Sequence, residues 1–162
     1  MEYFYKKASS EELERIWEKN IAANRGDKRW KIWKKEMLAD NLANRVATFV
    51  VLRGNDPVGE GTLLFSPACQ AIRGRKTLCD GRKTANINAL RIEKAFENQG
   101  HISKLVHQME VYAAECGYDY LTIGVEAKET RNLGIYLHWG YAEFVMSEEE
   151  DGELVLYFRK KL

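Results

Sequence analysis

No stretch of this sequence stays apolar for long. Runs such as ATFVVL at 47–52 fall well short of the roughly 18–20 residues a helix needs to cross a bilayer, which excludes a bitopic or polytopic helical architecture and leaves no membrane partner to expect. The opening MEYFYKKASSEE lacks the charged-then-apolar order of a secretory signal. An excess of one charge is missing too: 25 Lys and Arg balance 24 Asp and Glu, a net +1. The bulk charge therefore gives no attraction to nucleic acid or to an anionic surface, and no nucleic-acid partner is expected. Cysteine is scarce. Cys69, Cys79 and Cys116 are odd in number and widely spaced, which provides neither a disulfide framework nor a paired CxxC metal spacing. No metal site is expected, and a reducing cytoplasm is the expected location. Internal repeats, low-complexity tracts and interdomain linkers are absent from the sequence as well.

What is present is ordinary for a globular chain: 162 residues, 45% hydrophobic and 30% charged. That composition predicts a single domain spanning 1–162 with a sizeable core. Residues 2–8, EYFYKKA, read as a short strand. SSEELERIWEKNIAANR reads as a helix: Ser9 and Glu12 match a capping box, and Leu13, Ile16, Trp17 and Ile21 recur on one face. After a polar break at 26–28, a second helix is predicted with Trp30, Trp33, Met37 and Leu42 as its apolar stripe, packed in the core or walling a cleft. ATFVVLRG and GEGTLLFSP read as a hairpin around NDPVG. Residues 68–83 are basic, carrying Arg73, Arg75, Lys76, Arg82 and Lys83. They suit either a solvated irregular loop or an electropositive rim for an acidic substrate or a cofactor phosphate.

ANINALRIEKAF, 85–96, reads as a strand. GHISKLVHQMEVYAAECG reads as a helix with Ile102, Leu105, Val106, Met109, Ala113 and Cys116 on one face, stopped by Gly117. YLTIGVEA is apolar enough for a strand buried on both sides. A shorter helix over about 129–139 ends at Gly140. YAEFVMSEE and ELVLYFRKK form an antiparallel pair around EEEDG. The order β-α-α-β-β-β-α-β-α-β-β predicts an α/β sheet of mixed direction, with one crossover that makes the fourth and fifth strands parallel.

Ligands of such sheets favour the carboxyl ends of parallel strands beside helix N-termini. Here that place is ENQGHISK, residues 97–104. The unpaired N–H groups of a first helical turn can hold a pyrophosphate without any particular side chain. Gly100 permits close approach, and Ser103 and Lys104 add a hydroxyl and a charge. Taken alone, an ordinary strand-to-helix turn is the simpler reading of this loop.

The residues downstream of the loop change that reading. GHISKLVHQMEVYAAECGYDYLTIGV, then RNLGIYLHWGYAEF, resembles the GCN5-related N-acetyltransferase (GNAT) family, whose core has a Q/R-x-x-G-x-G/A loop opening a helix, then a strand, then a helix ending in L-Y-x-x-x-G-F. Ile135, Tyr136, Gly140 and Tyr141 fall at matching places, and the resemblance covers roughly 85–145. It implies a GNAT-like mixed, mostly antiparallel sheet with splayed parallel strands 4 and 5, about four flanking helices, and acetyl-coenzyme A as co-substrate. It carries pyrophosphate binding by backbone amides to Asn98, Gln99, Gly100, His101, Ile102 and Ser103, with Lys104 nearby. Leu90, Arg91 and Ile92 inherit backbone pairing with the pantetheine arm. Glu97 stands where the family has Gln or Arg, Ile102 where it has Gly or Ala, and Glu129 where an Asn often begins the next helix. Substitution leaves the amide of each in place.

Acetyl transfer needs a neutral amine beside the thioester carbonyl, a donor for the oxyanion and an acid for the leaving thiolate. By resemblance Tyr136 is the acid, and the Ile92 N–H suits the oxyanion. Family members often carry a Glu base on strand 4. Asn88 stands there and cannot take a proton at neutral pH, so Glu93 is the candidate base, ahead of Glu126, His101 and His138. Cys116 reads as a small core residue. Cations near Cys69 and Cys79 would lower a thiol pKa, yet no His-Asp partner accompanies them. The resulting expectation is an N-acetyltransferase that moves an acetyl group to a primary amine of a small molecule or peptide by direct attack in a ternary complex. The alternative, motivated by Glu97, Ile102 and Asn88, is a catalytically degenerate GNAT-like binding module. The resemblance also allows a homodimer.

Overall fold

The computed structural model describes residues 2–162. Its elements run β1 (Tyr3–Lys7), α1 (Ser10–Ala23), α2 (Arg29–Leu42), β2 (Val46–Arg53), β3 (Asp56–Leu64), β4 (Thr84–Ile92), α3 (His101–Glu115), β5 (Tyr120–Glu126), α4 (Thr130–His138), β6 (Glu143–Glu150) and β7 (Glu153–Lys161), with a 3₁₀ turn at Lys94–Phe96. The strands form a seven-stranded sheet with hydrogen-bonded order β1-β2-β3-β4-β5-β7-β6. β4 and β5 are parallel, while β1–β2, β5–β7 and β6–β7 are antiparallel. The predicted mixed sheet and its parallel fourth and fifth strands are thus present. Among the described residues no helix is long and apolar enough to cross a membrane.

Two boundaries differ from the sequence reading. The hairpin turn is tighter than NDPVG suggests: Gly54 adopts φ 61 and β3 already begins at Asp56. The strand expected over 85–96 stops at Ile92, and Lys94–Phe96 coils into the 3₁₀ turn.

The residues fall into two compact units. The first comprises Met1–Leu63 and Ala89–Val111. The predicted capping box opens α1: Ser9 Oγ accepts from the Glu12 amide at 3.2 Å, and Glu12 Oε1 accepts from the Ser9 amide at 2.8 Å. Leu13, Ile16 and Trp17 are buried, with Trp30, Met37 and Leu38 of α2 packed on them. Trp33 and Leu42, assigned to the same stripe, are exposed, Leu42 at 88%. Twelve residues at about 100° each place Leu42 about 120° around the helix from Trp30, so the two cannot share a face. Among the described residues the Trp17 indole Nε1 is buried without an acceptor, while other buried polar groups of this unit are paired. The hydroxyls of Thr48 and Thr62 lie 2.9 Å apart, and Asn41 Nδ2 donates to Thr48 Oγ1 at 3.0 Å.

The second unit comprises Leu64–Asn88 and Tyr112–Leu162. Its 68–83 segment is irregular and mostly exposed, as the loop reading expects, but it is anchored by buried side chains. Cys69, Ile72, Leu78 and Cys79 are buried. Arg75 Nη1 meets Glu148 at 2.6 Å and Glu150 at 3.5 Å, Arg73 lies 3.7 Å from Glu150, and Lys83 lies 3.2 Å from Asp119. Three of the five cations are thus engaged, Arg73 and Arg75 by the acidic run of β6 and Lys83 by Asp119, while Lys76 and Arg82 are exposed. The expectation of a lowered thiol pKa is reversed as well: burial pushes the Cys79 thiol up to about 12. Cys116, placed on the buried face of α3 by its spacing, is exposed, because the helix ends at Glu115 and Gly117 turns the chain with φ 92. In β5, a Cβ on Gly124 would sit 2.7 Å from the Tyr157 ring. That glycine lets the cross-strand tyrosine lie against the sheet, where it donates to Glu150.

His101 anchors the start of α3 within the first unit. It is 6% exposed. Nδ1 lies 2.8 Å from the Tyr5 hydroxyl, Nε2 lies 3.2 Å from Gln99 Oε1, and the Tyr3 ring centre is 4.3 Å away. Burial, and then the charge of Lys104, hold its pKa below the ordinary value. A depressed folded-state pKa means that stability is full above the unfolded value of about 6.5 and is lost as pH falls through the folded one. The stability advantage of wild type over His101→Leu, measured by urea denaturation, should therefore shrink as pH drops below about 6.5. A pH-independent difference would show that His101 is not buried in its neutral form.

Candidate active site

The loop between the 3₁₀ turn and α3 reverses direction through two left-handed residues, Asn98 with φ 62 and Gly100 with φ 81. A Cβ on Gly100 would meet no atom within 4 Å. Its requirement is therefore the dihedral and not crowding, and the space beside it is open. The first helical bond runs from the Lys104 amide to the Gly100 carbonyl at 3.2 Å. The amides of His101, Ile102 and Ser103 consequently have no carbonyl to reach within the helix and point back along its axis, where the dipole favours an anion. Glu97, Asn98, Gln99, Ser103 and Lys104 are exposed and Ile102 is half-buried. Lys104 Nζ rests 5.7 Å over the Tyr5 ring. The His101 imidazole faces the core, so this residue has only its amide to offer a phosphate. The left-handed turns at Asn98 and Gly100 thus lead into a set of first-turn amides of the kind that can bind an anion through backbone alone.

The strand leading to this loop is interrupted. β4 pairs with β5 from Thr84↔Tyr120 to Ile87↔Ile123, and two residues later Ala89 takes φ 58. A left-handed alanine inside a strand marks an irregular, bulge-like step. Leu90, Arg91 and Ile92 come next and are half-buried. The Glu93 amide donates to the Val58 carbonyl at 2.9 Å, while its Oε1 lies 2.9 Å from Lys19 Nζ. That ammonium also holds Asp56 at 2.7 Å and the Pro57 carbonyl at 2.8 Å. Burial opposes the Lys19 charge, but Asp56 and Glu93 more than offset it and raise its pKa. One Glu93 oxygen is thus committed to an ion pair.

Tyr136 belongs to the second unit, on α4. It is half-buried, its ring centre 5.5 Å from that of Trp139. Burial raises its pKa, so the phenol keeps its proton at neutral pH. Glu129 precedes α4 and makes no side-chain cap bond. Glu126 lies 3.8 Å from Lys128, and His138 is exposed at the end of α4.

Sequence reasoning missed a second carboxylate. Glu60 of β3 is buried, accepts from Asn20 Nδ2 at 2.6 Å and lies 3.3 Å from Arg91 Nε. The signal was a charge between Gly59 and Gly61 in an otherwise apolar strand. Both glycines lie where β4 comes close: a Cβ on Gly61 would sit 2.6 Å from the Leu90 side chain.

Among solved structures, the fold matches a ribosomal-protein-alanine N-acetyltransferase from Brucella melitensis (TM-score 0.72, 13% identity, 98% of this chain and 99% of that one). It also matches a PaiA N-acetyltransferase from Thermoplasma acidophilum in complex with coenzyme A (TM-score 0.67, 13% identity, the whole of both chains). A GNAT family acetyltransferase from Elizabethkingia anophelis with acetyl-CoA bound matches with TM-score 0.55 and 18% identity over 78% of this chain and 82% of that one. At these identities the likeness is one of fold. A search of curated protein sequences finds no match. The sequence profile of the acetyltransferase (GNAT) family matches residues 7–141, most of the chain, and the protein belongs to that family.

Proposed function

We propose that the protein is an N-acetyltransferase that moves an acetyl group from acetyl-coenzyme A to a primary amine of a small molecule or peptide, by direct attack in a ternary complex. The observation that carries this reading is the left-handed, open loop at 98–100, which frees the first amides of α3 for a pyrophosphate. The cofactor complexes of two fold relatives support the same co-substrate. In this reading Asn98, Gln99, Gly100, His101, Ile102 and Ser103 hold the pyrophosphate through their backbone, with the Lys104 charge close by. Glu97 is exposed, so its repulsion is screened by salt. The backbone of Leu90, Arg91 and Ile92 pairs with the pantetheine arm.

The chemistry then divides among three groups. The Ile92 N–H donates to the carbonyl oxygen as it gains charge. Glu93 takes a proton from the attacking amine on the oxygen that Lys19 leaves open, directly or through water. Tyr136 gives its proton to the departing thiolate. A phenol kept protonated by burial suits that last role, because the acid must hold its proton until the carbon–sulfur bond breaks. A single domain over 1–162 and a place in the cytoplasm complete the reading.

Two variants separate binding from chemistry. Tyr136→Phe should lower kcat by about 10²–10⁴-fold, the usual range for loss of a general acid, while the calorimetric Kd for coenzyme A stays within about threefold. Unchanged turnover would remove Tyr136 from the mechanism. Gly100→Ala should do the reverse: the free loop relaxes out of the left-handed conformation, and binding must restore it at about 1–2 kcal/mol. Coenzyme A should therefore bind about tenfold more weakly, and equal affinity would show that the loop does not hold the cofactor.

A further inference from the structure

Arg91 is fixed on three sides within the first unit. Its Nε lies 3.3 Å from Glu60 Oε2 and its Nη2 lies 3.4 Å from Oε1, so one edge of the guanidinium faces that carboxylate. Its Cζ sits 4.9 Å from the Trp30 ring centre and 5.5 Å from that of Trp17, which sets indoles against the planar group. Glu60 is itself only 1% exposed and also held by Asn20. Even so, the Arg91 side chain remains 33% exposed.

A guanidinium carries five N–H donors in a rigid fork. Glu60 engages the Nε hydrogen and one on Nη2. The far edge, made of Nη1 and the other Nη2 hydrogen, has no acceptor among the described residues. A guanidinium held in one orientation by a buried carboxylate and two indoles, with its far edge exposed and unmet, points to an acceptor from outside the chain. The fork matches the two oxygens of a carboxylate or a phosphate. Glu60 cancels the guanidinium charge, leaving directed donors with no net charge, which favours a singly charged carboxylate over a doubly charged phosphate.

We propose that Arg91 binds a carboxylate on the acceptor, so that the substrate is an amine that also carries a carboxylate, as in an amino acid or a peptide terminus. This assignment rests on the acetyltransferase reading. It concerns the Arg91 side chain and is separate from the backbone pairing proposed for the same residue.

The test uses wild-type protein, acetyl-coenzyme A and matched acceptors: amino acids, their carboxamides, and aminoalkylphosphonates of the same length. The amino acids should show kcat/KM at least about tenfold above their carboxamides, the lower end for hydrogen bonds to a charged group. Arg91→Lys keeps a cation for Glu60 but lacks the second edge. It should raise the KM for the carboxylate acceptor and erase the preference, with the KM for acetyl-coenzyme A within about twofold. Equal turnover of acid and carboxamide, a preference for the phosphonate, a preference that survives Arg91→Lys, or a loss confined to the KM for acetyl-coenzyme A would each overturn the assignment and leave the acetyltransferase reading standing. No turnover of any amine would overturn that reading and this inference with it.

Discussion

The Tyr5–His101–Gln99 hydrogen-bond chain fixes the start of α3, and the geometry proposed for the cofactor depends on it. With Nδ1 against the Tyr5 hydroxyl and Nε2 against Gln99, the imidazole is neutral and both nitrogens are satisfied. One side chain thereby ties strand β1, the loop and the helix together. Gly100, immediately before it, absorbs the left-handed turn that lets the side chain go inward while the next amides point along the helix axis. A cation at this position would be unfavourable beside a helix N-terminus, which gives a second reason for a neutral ring. Side chains in this loop can then vary without loss of the donors, since Glu97 and Ile102 leave the backbone amides in place.

Apart from the Trp17 indole Nε1, the buried side-chain nitrogens and oxygens among the described residues have hydrogen-bond partners. Thr122 Oγ1 donates to the Leu78 carbonyl at 2.7 Å while the Asn86 amide lies 2.8 Å away. Burial works to raise the Asp80 pKa, but the amides of Thr84, Arg82 and Lys83 on its carboxylate more than offset this and lower it. The acidic run of β6, conspicuous in the sequence, pairs with Arg73 and Arg75 of the basic segment. Against this background the far edge of the Arg91 guanidinium stands out, since it has no acceptor among the described residues.

Much of the fold was legible because its signals are local. Ser9 and Glu12 announce α1, Leu105, Val106, Met109 and Ala113 mark the buried face of α3, and Gly117 and Gly140 end α3 and α4. What was not legible depends on distant contacts. The exposure of Trp33, three residues from the packed Trp30, depends on where α1 lies, which nothing near it in sequence reveals. Burial of Cys69 and Cys79 is set by packing of an aperiodic segment, which charge patterning described as a surface loop. Glu60 finds its partners far off in sequence, Arg91 31 positions downstream and Asn20 40 positions upstream. The inward turn of His101 likewise depends on Tyr5, 96 residues away. The candidate site was therefore readable where backbone does the work, and unreadable where a side chain waits for a partner from another element.

The central claim is that the backbone amides at the start of α3 hold the cofactor pyrophosphate. Amide chemical-shift perturbation on ¹⁵N-labelled protein, titrated with coenzyme A and separately with pantetheine, tests it most directly. Coenzyme A should produce its largest shifts at Asn98, Gln99, Gly100, His101, Ile102 and Ser103. Pantetheine, which has no phosphates, should leave those amides nearly unmoved. Saturation with coenzyme A that left these six amides in place, or equal shifts with pantetheine, would contradict the account.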